Sequence, residues 1–257
     1  TAQGYPHSVV NETFTMRLAG LMGLNVPQVW RLYVPEPVFI IERFDRRRVA
    51  DAPELQRVHA LDGCQVLNES AIFKYQSATF PNLQLLIGLC RNKALARLQV
   101  FQWILFNTLV GNSDCHLKNI SFLVDGEGQR VAPFYDLLCT AVYHTRALAD
   151  ESAVWPNEPL AMPVMGAGRF GEVTYASLIA TGEKLGLAAK TAEREVARMM
   201  HGLGPAADRL IAQMEAEYAA GGAMGEAGDA TRGAEMHLLR AIRHVVIQDM
   251  LARVQMA

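Results

Sequence analysis

The spacing of apolar positions changes several times along the chain, and each change marks an element. Residues 1–10, with Gly4, Pro6 and His7, read as loop. Phe14, Met16, Leu18, Ala19 and Met22 then predict a helix ending near Gly23, with Ser8 or Asn11 as its cap. On that reading Glu12 falls in the first turn, where the helix dipole favours a carboxylate. This structural account of Glu12 weighs as much as a functional one. From Val26 to Arg43 the chain turns β-branched and aromatic, and residues 29–34 and 38–44 predict two strands around Pro35-Glu36-Pro37.

Residues 45–81 are mixed: basic Arg46 to Arg48, a short helix expected over 53–68, then loop to Pro81. A long helical tract follows over 82–110, with a break expected near Arg91-Asn92. Leu95, Leu98, Phe101, Ile104, Leu105 and Leu109 recur at helical spacing, and Trp103 and Phe106 add apolar bulk on other sides. Such a tract belongs at the centre of a helical lobe. Gly111 ends it. Residues 120–124 and 130–134 predict a hairpin around Asp125-Gly126-Glu127-Gly128. Residues 137–171 read as irregular. Helical patterns cover 173–202, 205–219 and 233–255, with residues 221–225 as a flexible joint.

Composition narrows the class. The chain has 257 residues, 51% hydrophobic and 19% charged, enough for one large domain or two unequal lobes. A net charge of −2, from 24 basic and 26 acidic residues, argues against a dominant nucleic-acid surface. The longest apolar run, residues 100–110, is interrupted by Gln102 and Asn107 and is too short to span a bilayer; no signal peptide is legible. Cys64, Cys90, Cys115 and Cys139 form no C-x-x-C pair, which fits a reducing cytoplasm rather than a zinc site or disulfide framework.

The candidate chemistry lies in Gly111-Asn112-Ser113-Asp114-Cys115-His116-Leu117-Lys118-Asn119 and in Val131-Ala132-Pro133-Phe134-Tyr135-Asp136. Alone, Asp114 would be a turn residue. What raises it is the set: Asn119 five positions on, and Asp136 beyond a hairpin that brings the two together. Two carboxylates and an amide are hard oxygen donors suited to Mg²⁺ and phosphate, and kinases pair a base with an Asn at this spacing and a later metal-binding Asp. The expected reaction is phosphoryl transfer. Aminoglycoside phosphotransferases share the spacing, so the acceptor stays open. Lys118 and His116 could neutralise transition-state charge or be ordinary surface and packed side chains. Cys115 has no legible base beside it. Gly166-Ala167-Gly168-Arg169-Phe170-Gly171 fits G-x-G-x-x-G, but it follows a Pro-rich stretch and stands after the catalytic loop, so it reads as a loose Gly-rich loop.

These residues resemble the HipA family, the serine/threonine kinase toxins of HipBA-type toxin–antitoxin modules. The resemblance is carried, in the family's order, by Asn11-Glu12 with Arg17-Leu18-Ala19, Ile41 to Arg46, Leu98 to Trp103, the 111–122 motif, Pro133 to Leu137 and Leu160 to Pro163. It implies a mainly α, overall α+β, protein-kinase-like fold. Residues 1–48 would be the end of a small nucleotide-binding lobe and 49–257 a large helical lobe with a short β hairpin at the site. It implies Asp114 as catalytic base and Asn119 and Asp136 as Mg²⁺ ligands. Glu42, Arg43 and Phe44 would form the adenine hinge, with His116, Lys118, Asn119, Tyr135 and Asp136 around ATP, and Glu12 would organise a nucleotide-binding lysine. The implied acceptors are proteins of the aminoacyl-tRNA synthetase type, and the implied partner is a DNA-binding HipB-type antitoxin.

The chain departs from the family pattern in two places. The family's Gly-rich loop and β-strand lysine precede the Glu12 helix, and neither stands before it here, so the expectation is a C-terminal portion that binds ATP poorly by itself. Phe80-Pro81-Asn82 stands near where the family carries Gly-Gly, on the substrate-facing side. The alternatives are a small-molecule phosphotransferase and a non-catalytic kinase-like module that engages an antitoxin.

Overall fold

The computed structural model describes residues 4–48, 54–220 and 228–255. Helix α1 (Ser8–Leu21) opens the described chain without a side-chain cap. Asn11 lies inside it and turns its amide to tertiary partners. Its Nδ2 donates to Cys139 O at 2.8 Å and Tyr143 Oη at 3.2 Å, and its Oδ1 accepts from Cys139 N at 2.8 Å. Because the helix starts at Ser8, its first turn holds no acidic residue, and the dipole account of Glu12 is wrong. Strands β1 (Val29–Tyr33) and β2 (Pro37–Ile41) pair antiparallel from Val29↔Ile41 to Tyr33↔Pro37. The second is shorter than expected, because Arg43 leaves the ladder and grips Asp45 through Nε and Nη2 at 2.8 and 2.7 Å.

The helix expected over 53–68 is largely absent from the described residues; 49–53 lie outside them. Instead β3 (Arg46–Arg47) pairs with β4 (Gln56–Arg57), and β5 (His59–Asp62) leads into one helical turn, α2 (Gly63–Val66), boxed by Asp62 and Gln65. The reason is a distant partner. β5 pairs with β6 (Ser121–Asp125) from His59↔Val124 to Asp62↔Ser121, and β6 pairs with β7 (Gly128–Val131) as the predicted hairpin. Non-local pairing overrides local helical propensity here.

The long apolar tract divides as expected, into α3 (Phe80–Gly88), capped by Thr79, and α4 (Lys93–Leu109), capped by Asn92. Helix α4 is the axis of the lobe: Val100, Phe101, Trp103, Ile104, Leu105, Phe106 and Leu109 are all buried, and Trp103 stacks on Phe134 at 5.9 Å. The 137–171 stretch, expected to be irregular, contains the hairpin β8 (Pro159–Val164) and β9 (Ala167–Arg169), turning at Gly166 with φ 72°. The Gly-rich pattern at 166–171 is therefore a hairpin turn and return strand.

Helices α5 (Tyr175–Lys184), α6 (Ala189–Ala220), α7 (Asp229–Ala241) and α8 (Gln248–Gln255) complete the lobe, with a π-helical segment Ile242–Ile247 joining the last two. The break expected between 202 and 205 does not occur. A buried stripe of Val196, Met199, Leu203, Ala207, Leu210 and Met214 carries α6 through the proline, offsetting the lost amide donor. The break falls earlier, between α5 and α6, at Gly186 with φ 92°. The joint expected at 221–225 lies outside the described residues. Among the described residues no helix is long and apolar enough to cross a membrane.

Candidate active site

The 111–119 motif leaves α4 at Gly111, where φ is 69°. A Cβ at this position would lie 2.6 Å from Val246 Cγ1 and 2.8 Å from Ala141 Cβ, so the π-helical segment and the 140s press directly on it. The next three residues are held from behind. Asn112 donates to Asn107 Oδ1 at 2.7 Å and accepts from Asp114 N at 3.1 Å. Ser113 N donates to Thr140 Oγ1 at 2.6 Å, and Ser113 Oγ donates to Glu158 Oε1 at 2.8 Å. Glu158 is 9% exposed, its Oε2 has no partner, and His144 Nε2 lies 3.4 Å from its Oε1. These bonds turn the Asp114 side chain outward, to an exposed position at the tip of the loop.

Five residues on, Leu117–Asn119 forms a single 3-10 turn. Asn119 Oδ1 accepts from His116 N at 2.9 Å, while Asn119 Nδ2 donates to Asp136 Oδ2. Asp136 has φ 57°, a left-handed conformation that L side chains rarely hold and that functional sites often impose. Burial, then the charge of Asp114, push its carboxyl above the usual range, against the opposing Asn119 hydrogen bond and the Lys74 cation. Glu12, on α1, is pushed up to about 8 by burial and by Asp136. No ion pair to either carboxylate exists among the described residues. The fold thus leaves the charge of Asp136 without a paired cation, and Glu12 beside it holds its proton up to about pH 8.

That charge suits a Mg²⁺ ion, which takes one or two protein oxygens and keeps several waters. Asp136 is a donor of the right kind; Asn119 turns its Nδ2 to Asp136 and gives its Oδ1 to His116 N, so its amide oxygen would join only after the side chain turns over. Among the described residues no group of three or more His, Cys, Asp or Glu forms an all-protein cage.

The remaining expected residues are placed as follows. Tyr135 Oη donates to Lys118 O at 2.6 Å and shares a 2.7 Å hydrogen bond with Ser121 Oγ, and its ring stacks on Phe44 at 5.6 Å. Phe44 therefore meets the loop that carries Asp136. Lys118 Nζ donates to Asp62 Oδ2 at 2.6 Å, so its cation is tied to β5. His116 is buried, with Nδ1 unpartnered; burial, then Lys74, lower its pKa and keep it neutral. Glu42 and Arg43 are exposed at the end of β2, Glu42 bonded through its amide to Gln28 O at 2.9 Å. They make no hydrogen bond or ion pair with the Asp114–Asn119–Asp136 group among the described residues. Cys115 is buried and its thiol is pushed far up by burial, so it is no nucleophile.

Two residues that sequence reasoning missed face the site. Tyr75 Oη donates to Asp114 Oδ1, and Lys74 Nζ lies 4.8 Å from the centre of the Tyr75 ring. They follow the 3-10 turn Ala71–Phe73, in a stretch without periodicity. A cation–aromatic pair in an aperiodic loop was the only available signal.

A profile of the HipA-like C-terminal domain matches residues 1–207. The chain belongs to that family. It is 36% identical over 154 residues to the serine/threonine-protein kinase toxin HipA of Shewanella oneidensis, an alignment covering 54% of this chain and 36% of that protein. A solved HipA from Shewanella oneidensis MR-1, in complex with HipB and operator DNA, superposes with a TM-score of 0.77 at 26% identity, covering 98% of this chain and 57% of that one. The chain thus spans just over half the length of that HipA. The Helicobacter pylori proinflammatory kinase CtkA superposes with a TM-score of 0.56 at 11% identity, over 95% of this chain and 86% of that one, which is a likeness of fold. The architecture is the kinase-like α+β fold of the HipA family.

Proposed function

We propose that this chain is the catalytic lobe of a HipA-like protein serine/threonine kinase that moves the ATP γ-phosphate to a protein hydroxyl. The observation that carries the reading is the loop geometry: Asp114 is turned outward by a fixed backbone, with the Asn119–Asp136 pair beside it. In the proposed step Asp114 takes the acceptor proton as the acceptor oxygen bonds to the γ-phosphorus, whose bond to the bridging oxygen breaks to release ADP. Asn119 and Asp136 would hold Mg²⁺, which supplies charge neutralisation on the phosphates when bound. Glu42 to Phe44 would receive adenine, with Phe44 positioned by its stack on Tyr135. His116 and Lys118 line the same loop, and neutral His116 serves as a hydrogen-bonding group rather than a cation. Residues 1–48 fit the end of a nucleotide-binding lobe and the rest a helical lobe. The family resemblance supports an aminoacyl-tRNA synthetase-type acceptor, and the similarity to a HipA solved with HipB supports a HipB-type antitoxin as partner.

The test is the full-length protein incubated with labelled ATP. Asp114→Asn should reduce transfer by about 10²–10⁴-fold with an unchanged melting temperature. Label on a soluble metabolite instead of protein would support the small-molecule alternative, and undiminished turnover would remove Asp114 from its role.

A further inference from the structure

Tyr75 stands where the proposed reaction needs something else. Its hydroxyl donates to Asp114 Oδ1, from the solvent-facing side of the loop. Its ring lies edge-on to His116 at 5.1 Å and 75°, and the residue is 42% exposed. The backbone beneath it is anchored, since Leu117 N donates to Lys74 O at 3.2 Å. The preceding turn is open to solvent, with Ile72 77% and Phe73 39% exposed. A phenol O–H offers the base the same donor that a serine or threonine O–H would.

We infer that Tyr75 occupies the acceptor-hydroxyl position on Asp114 and must swing away before an acceptor binds, which makes it a determinant of acceptor affinity. This rests on the kinase reading above. The physical consequence is a conformational tax: if the open arrangement is a minor fraction, the apparent acceptor affinity is weakened by that fraction. Nucleotide affinity and the chemical step are untouched, because the bond competes only with the acceptor. The anchored Lys74 carbonyl confines the movement to the Tyr75 side chain.

Tyr75→Phe keeps the ring against His116 and removes only the competing donor; Tyr75→Ala removes both. The assay uses the full-length protein with Mg-ATP, dephosphorylated casein as acceptor, and ADP release to water in parallel. The expected result for Tyr75→Phe is an acceptor KM lowered about five- to tenfold, the scale of one typical net hydrogen bond. ADP release to water should rise, while kcat on casein and the KM for ATP stay within about twofold. Tyr75→Ala should change acceptor KM in the same direction. A fall in kcat at unchanged acceptor KM would overturn the inference and make Tyr75 a positioning residue for the base; kinetics identical to the parent would also overturn it. Asp114→Asn separates the two readings. If that variant is dead while Tyr75→Phe is unchanged, only the inference falls. If it turns over normally, or the parent itself transfers no phosphate, the kinase reading falls and the inference with it; if the parent is active and Tyr75→Phe is dead, only the inference falls.

Discussion

The Gly111–Asn119 loop has two sides that are built differently. Behind it, Gly111 to Ser113 are locked by α4, the 140s, Glu158 and the π-helical segment through buried contacts and side-chain hydrogen bonds. In front of it, residues 71–76 are largely exposed and are tied to the loop by the Leu117–Lys74 backbone bond and by Tyr75. The rear is packed from distant parts of the chain and leaves no room for change. The front can move at little cost. On the proposed function, the first would hold the base fixed during transfer and the second would admit the acceptor.

The strongest way to break this contrast is Gly111→Ala. Positive φ and the contacts with Val246 and Ala141 should together cost about 2–4 kcal/mol, read by denaturant unfolding. A loss below about 0.5 kcal/mol would mean the rear of the loop is not tightly packed.

Glu12→Gln probes the charge collected behind Asp136. The folded state raises this carboxyl to about 8 from an ordinary 4.5, so it holds the proton more tightly than the unfolded chain does. Its contribution is therefore fully present below about pH 4.5 and is lost as pH rises through 8. Between pH 5 and 8, without added divalent cation, the parent should lose about 1–3 kcal/mol more stability than Glu12→Gln. Equal losses in urea titrations at the two pH values would show that Glu12 is not buried against negative charge.

A smaller effect is expected from Ser113→Ala, about 1–2 kcal/mol, because Glu158 would keep only His144 near one oxygen. Stability measured by thermal melts should fall, together with the transfer rate. On the front side, Ile72→Ser should change stability by under about 0.5 kcal/mol. A melting-temperature drop as large as that of Ser113→Ala would erase the distinction between the two sides.

Much of this was legible in the residues. The apolar faces of α1 and α4 and the patterns of the β1–β2 and β6–β7 hairpins stand at nearly the right places, and the Asp114, Asn119 and Asp136 set stands out by spacing. The failures share a cause. Residues 59–62 carry a weak local pattern that reads as helix, and they form a strand because β6, about sixty residues later, offers an edge. The Gly-containing joint between 202 and 205 reads as a break, yet the buried stripe on either side of it holds α6 together. Asn11 has the chemistry of a cap, and Cys139 and Tyr143 claim it instead.

By itself, the sequence determined the family, the central helix and the identities of the acid and amide groups. These depend on short-range spacing and on side-chain chemistry, which a single chain carries in order. The tertiary structure decided which carboxylates face one another, that Lys118 is tied to Asp62, and that Tyr75 meets Asp114. Each of these joins segments tens of residues apart, and no local periodicity records such a meeting. It is set by how the helices and strands pack around α4, and that packing is what makes a loop motif into a site.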